Sequence, residues 1–161
     1  MKPTKIYTLG DYYKTEGLRN LCHDIKNGYN SELIATFLIK SFIDEIPEDS
    51  VLIGVPFGFG NLTMRIISEC APVLKNVFCK TRFTSVYSRK YRGEIVTPDT
   101  VGLELYPAFN RKDLEEYGHI ILVDNVIDTG ATIARCIDLL GRPCEAMCIA
   151  VNWENYNKNN W

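Results

Sequence analysis

Four apolar residues, Ile120-Ile121-Leu122-Val123, run without interruption into the polar pair Asp124-Asn125. A short unbroken apolar run with turn residues beyond it fits a strand covered on both faces; a half-exposed strand would alternate. The polar pair then stands at the carboxyl edge of that strand. Val126-Ile127-Asp128-Thr129-Gly130-Ala131-Thr132 follows as a turn rich in small and hydroxyl residues. A helix over 132–140 comes next, with Ile133, Cys136, Ile137 and Leu140 inward and Gly141 and Pro143 closing it.

The rest of the chain repeats the alternation. Leu18, Leu21, Cys22 and Ile25 predict a helix over 16–27 that Gly28 can stop. Ser31 can cap a second helix over 31–46, whose Ile34, Leu38, Phe42 and Ile46 form one row before Pro47. Residues 51–55 read as a buried strand. Pro56-Phe57-Gly58-Phe59-Gly60 forces a loop, and Asn61 can cap a helix toward Lys75 that Pro72 can end or kink. Strands are expected over 77–80, 101–106 and 146–151, and a short helix from Asn110 to Gly118. The polar tail from Asn155 to Trp161 reads as frayed. Strands alternating with helices predict an α/β fold, a mostly parallel central sheet flanked by helices, in a single domain over 1–161.

With 46% hydrophobic and 24% charged residues, the chain has the composition of a globular protein. A net charge of −2 gives no general electrostatic case for nucleic acid or an acidic membrane. No apolar stretch reaches the roughly 18 residues of a membrane span. Residues 1–5 lead into no long apolar run, so no signal peptide is expected and a cytoplasmic location is. The six cysteines include no Cys-x-x-Cys pair and read as reduced core thiols.

The chemistry concentrates at 124–132. Free backbone N–H groups at a helix start suit a phosphate, Gly130 permits close backbone approach, and Thr129 and Thr132 add hydroxyl donors. Asp124 and Asn125 can then reach sugar hydroxyls. By periodicity alone, any strand, turn and capped helix fits these residues. The full pattern is more specific. Four apolar residues, two polar positions, two apolar residues and Thr-Gly-Ala-Thr resemble the motif with which type I phosphoribosyltransferases (PRTases) bind phosphoribosyl pyrophosphate (PRPP). One departure is visible: the family has two adjacent acids, and here the second is Asn125, an amide without charge. Gly17-Leu18-Arg19 and His23-Asp24-Ile25-Lys26 resemble the amino-terminal part of the ComF-like branch; the zinc-binding segment that those proteins often carry in front is not expected here.

The resemblance implies a PRTase type I-like fold with a small hood. It also implies magnesium at Asp124, PRPP at Asp124, Asn125, Asp128, Thr129, Gly130, Ala131 and Thr132, and catalytic roles for Asp124 and Asp128. Phe57 and Gly58 stand where the family has its pyrophosphate loop, often with a cis peptide; a plain turn is the alternative. Lys80, Arg82, Arg89, Lys90 and Arg92 fall in an acid-free stretch over 80–93, either a mobile loop closing over the pyrophosphate or solvated surface. Asp128 leans toward a purine-like acceptor, unless it only orders the phosphate turn. The expected partners are PRPP and a small-molecule base, without membrane or nucleic acid, with a homodimer left open. A non-catalytic PRPP-binding or nucleotide-binding regulator and a ComF-like accessory protein are the rival functions.

Overall fold

The structure, a computed structural model, describes residues 1–56 and 71–161. The Phe57-Gly58 peptide and most of the helix expected from Asn61 lie outside the described residues. Five parallel strands form the central sheet in the order β1-β7-β6-β2-β3. They are β1 (Ile6–Thr8), β2 (Ser50–Gly54), β3 (Val73–Leu74), β6 (His119–Ile127) and β7 (Glu145–Val151). β4 (Phe78–Lys80) and β5 (Leu103–Leu105) make a separate antiparallel pair. Among the described residues the helices are α1 (Leu18–Lys26), α2 (Ser31–Phe42), α3 (Val86–Tyr91), α4 (Ala131–Leu140) and α5 (Trp153–Lys158).

The apolar runs lack alternation because the sheet is covered on both faces. Val51, Ile53, Ile120, Leu122 and Ala146 pack on one side with Ile133, Cys136, Ile137 and Leu140 of α4. Leu52, Ile121, Val123, Met147 and Ile149 pack on the other with Leu18, Cys22 and Ile25 of α1 and Ile34 and Leu38 of α2. α4 ends where Gly141 turns left-handed, at φ 71°, and its N–H donates to the Ile137 carbonyl at 2.9 Å. No helix among the described residues is long and apolar enough to cross a membrane.

Several sequence expectations need correction. The helix expected toward Lys75 does not extend through Val73 and Leu74, which form β3. Pro72 has no N–H for a helix interior, and its carbonyl accepts instead from the Leu52 N–H at 2.8 Å. β1 was not anticipated: three residues are too few for a pattern, and the strand exists through its register with β7, Ile6 opposite Ala146. β6 runs on to Ile127, paired through Ile127 and Val151, so Asp124 and Asn125 lie inside the strand rather than beyond it. α2 ends at Phe42, before Ile46. The stretch after Asn110 is a 3-10 turn over Arg111–Leu114.

Two further corrections bear on the site. Residues 80–93 are not simply a loop: Ser85 caps α3, its hydroxyl accepting from the Ser88 N–H at 3.1 Å. The tail is not frayed. It forms α5, capped by Asn152, and buries Tyr156. The polar composition hid this because the helix docks through the Trp153 and Tyr156 rings and several amides rather than an apolar stripe.

Candidate functional site

From β2 the chain passes to β3 on one side, and from β6 it passes to β7 on the other. The strand order therefore reverses between β2 and β6, and the crevice at their carboxyl ends is where open parallel sheets bind ligands. A cavity of about 530 Å³ opens there. Asp124, Asn125, Asp128, Thr129, Gly130, Ala131 and Thr132 all line it, together with Pro56 after β2.

The turn into α4 is built for close approach. Gly130 is the N-cap residue in the left-handed region, at φ 86°. The first helical hydrogen bond runs from Ala134 N–H to the Gly130 carbonyl at 2.9 Å, so the Thr132 and Ile133 amides precede it. The back of the turn is occupied: a Cβ on Gly130 would stand 2.9 Å from the Tyr156 ring. The Trp161 indole N–H donates to the Thr129 carbonyl at 2.9 Å. α5 and the residues after it therefore brace the turn.

Asp124 and Asp128 differ. The Asp124 carboxylate is almost wholly buried and accepts the Asn125 N–H at 2.7 Å. Burial pushes its pKa up to about 7, opposed by that hydrogen bond and by the charge of Lys26. Asp128 accepts from Lys90 Nζ at 2.7 Å, Asn155 Nδ2 at 2.8 Å and Asn152 Nδ2 at 3.0 Å. Burial raises its pKa too, but Lys90 and the two amides outweigh burial and leave the carboxyl below its ordinary value.

The five cations of 80–93 separate. Lys80 and Lys90 line the main cavity. Arg82, Arg89 and Arg92 surround a second cavity, of about 380 Å³, with Glu94. Arg89 is buried: its Nε donates to Glu94 at 2.9 Å and its Nη atoms to the Thr100 and Val101 carbonyls at 2.6 and 3.2 Å. Arg89 thus anchors α3, while Lys90 ties α3 to Asp128. Arg135 of α4 holds the neighbouring β5, donating to the Leu103 carbonyl at 3.1 Å.

Sequence reasoning did not place Arg19, His23 and Lys26 at the cavity, although their i, i+4, i+7 spacing puts them on one face of α1. Asn152, Asn155 and Trp161 carried no signal beyond a polar tail. Burial pushes the Cys22 thiol up to about 12, with Asp124 adding to the rise. The five described cysteines are all free. Among the described residues no three His, Cys, Asp or Glu side chains converge on a metal site. The one carboxylate beside Asn125 fits magnesium only in the mode where ligand oxygens and water supply most of the coordination.

No protein-family model matches the chain, and no curated protein matches it.

Proposed function

We propose that the protein is a type I PRTase-like enzyme, a pentosyltransferase that moves the phosphoribosyl group of PRPP to a nitrogen base and releases pyrophosphate. The observation that carries this reading is the placement of the whole 124–132 motif along one cavity at the reversal point of the sheet. On this reading the Thr132 and Ile133 amides and the Thr129 and Thr132 hydroxyls bind the 5-phosphate. Asp124 and Asn125 bind the ribose hydroxyls. β4, β5 and α3 form the hood.

The reaction passes through an oxocarbenium-like sugar with pyrophosphate departing. Asp124, ionised once cationic charge enters the cavity, stabilises the developing positive charge. Asp124, with ligand oxygens, would hold magnesium, which would supply charge neutralisation at the pyrophosphate. Lys80, half-buried at the cavity wall, faces the leaving group. Lys90, paired with Asp128 at 2.7 Å, holds α3 beside the phosphate turn. Asp128, with its carboxylate held by three donors, orders the turn.

A second reading is a PRPP-binding regulator without catalysis, favoured by the lone carboxylate of the Asp124-Asn125 pair. Pyrophosphate release from PRPP and magnesium, measured across a panel of bases, separates the two. Release with at least one base is the expected result. PRPP binding without release for any base selects the regulator, and absence of PRPP binding removes both.

A further inference from the structure

The chain carries a net charge of −2, yet its main cavity collects cations. Among the described residues, Arg19, Lys26, Lys80 and Lys90 line it against two carboxylates, Asp124 and Asp128. Lys90 is spent on Asp128 at 2.7 Å. Three cations then face Asp124 alone. A surplus of positive charge in a concave, partly desolvated site is selective for anions, because low-dielectric walls strengthen each interaction.

Two of those cations stand on α1. Arg19, His23 and Lys26 follow at i, i+4 and i+7, so they share one helix face, and that face lines the cavity. Neither Arg19 nor Lys26 forms an ion pair with any described residue. Their partners are aromatic instead. The Arg19 guanidinium lies 5.7 Å from the Tyr13 ring centre, and Lys26 Nζ lies 5.2 Å from that of Tyr87 on α3. His23 Nε2 meets the Tyr12 hydroxyl at 3.3 Å. α1 also abuts the sugar-binding pair, through the Cys22 thiol donating to the Asn125 carbonyl at 3.7 Å. Beside the place assigned to the ribose, the wall is thus cationic and aromatic, which suits a flat ring bearing a negative charge.

We infer that this wall, with Lys26 and Arg19 as its charged groups, is the acceptor subsite and selects an aromatic heterocycle bearing a carboxylate rather than a neutral purine. The inference rests on the phosphoribosyl-transfer reading for the word acceptor, but the carboxylate preference belongs to the free cavity and can be measured without turnover. It also replaces the purine-like acceptor expected from Asp128. That carboxylate is occupied by Lys90, Asn152 and Asn155, which leaves it badly placed to accept a proton from a base.

The test is equilibrium binding of matched pairs to the full chain: orotate against uracil, and pyridine-3-carboxylate against pyridine-3-carboxamide. The expected result is that at least one carboxylate binds about tenfold or more tightly than its neutral partner. Lys26→Gln should erase that preference while leaving the affinity for ribose 5-phosphate within about twofold. Lys26→Arg should retain it. Since Lys26 is partly exposed on a helix surface, these variants are expected to fold, and circular dichroism checks this. Equal affinities within both pairs, no carboxylate binding at millimolar concentration, or a preference that survives Lys26→Gln would each overturn the inference. So would a Lys26→Gln variant that loses inorganic pyrophosphate but keeps the carboxylate preference, because the wall would then serve the leaving group. Failure of transfer with every base, with the carboxylate preference intact, would remove the enzyme reading and leave the anionic subsite standing.

Discussion

Asp124 and Asp128 stand four residues apart on one strand and turn, and the molecule treats them in opposite ways. Asp124 lies inside β6 with one backbone donor and no cation in contact, and burial lifts its pKa to about 7. Asp128 lies where the strand ends, within reach of α3 and α5, and three donors hold it ionised. The same side chain is therefore a poised charge at one position and a clamp at the other. A buried carboxylate with unmet demand for positive charge suits a site where charge appears only with the ligand. A carboxylate already satisfied ties elements together.

The largest expected effect is at Asp124. Its folded pKa lies above the ordinary 3.8, so between about pH 4 and 7 the native state holds more protons than the unfolded one, and its stability falls as pH rises through that window. Asp124→Asn removes this penalty. In ligand-free, metal-free protein the variant should be more stable than wild type near pH 8, by on the order of 2 kcal/mol. The difference should shrink toward zero near about pH 4, as urea unfolding at the two pH values will test. Turnover should nonetheless fall about 100-fold or more. A stabilised but inactive variant sharpens the comparison; a destabilised one breaks it.

Asp128→Asn should have the opposite sign. A carboxyl whose folded pKa is depressed contributes stability above its unfolded pKa and loses it as pH falls below that value. Asp128 is about a third exposed, so solvent screening reduces the benefit, and the variant should lose about 1 kcal/mol near neutral pH. Hydrogen exchange should quicken in α3 and α5, which Lys90, Asn152 and Asn155 tie to this carboxylate. Unchanged protection in both helices would contradict the clamp.

Asn125→Asp should have the smallest effect, and one that depends on magnesium. The added carboxylate would stabilise the cationic sugar mainly in the transition state, raising turnover several-fold, about threefold by the usual scale of such effects. Beside Asp124 it also adds repulsion, so without magnesium one of the pair would take a raised pKa and the gain would vanish. Turnover of wild type and variant across magnesium concentrations measures it. A rate loss at saturating magnesium would show that the amide suits a different ligand.

Much of the site was legible because its residues are contiguous. The apolar run, the small-residue turn and the inward row of α4 each follow from local pattern, and a parallel sheet brings all three to one edge. What escaped was set by distant contacts. Arg82, Arg89 and Arg92 read like Lys80 and Lys90 in a list of charges, yet Glu94 pairs with Arg82 and Arg89, the Thr100 and Val101 carbonyls hold Arg89, and all three line the second cavity. Trp161 is 32 residues from Thr129 in sequence, and only the docking of α5 brings them together. The length of β6 was hidden for a similar reason: Asp124 and Asn125 are poor strand formers held in register by β7.

The claim on which everything else depends is that the turn over 128–132 binds the phosphate of a phosphoribosyl ligand. Calorimetric titration of ribose 5-phosphate, and of PRPP with magnesium, into wild type and Thr132→Val tests it directly. Thr132→Val preserves side-chain size and avoids the collision with Tyr156 that a larger residue at Gly130 would cause. The expected result is saturable binding to wild type, weakened about tenfold or more in the variant through loss of a hydroxyl donor to an anion, with the unfolding midpoint nearly unchanged. Equal affinity in the two proteins, or no binding to wild type, would contradict the account.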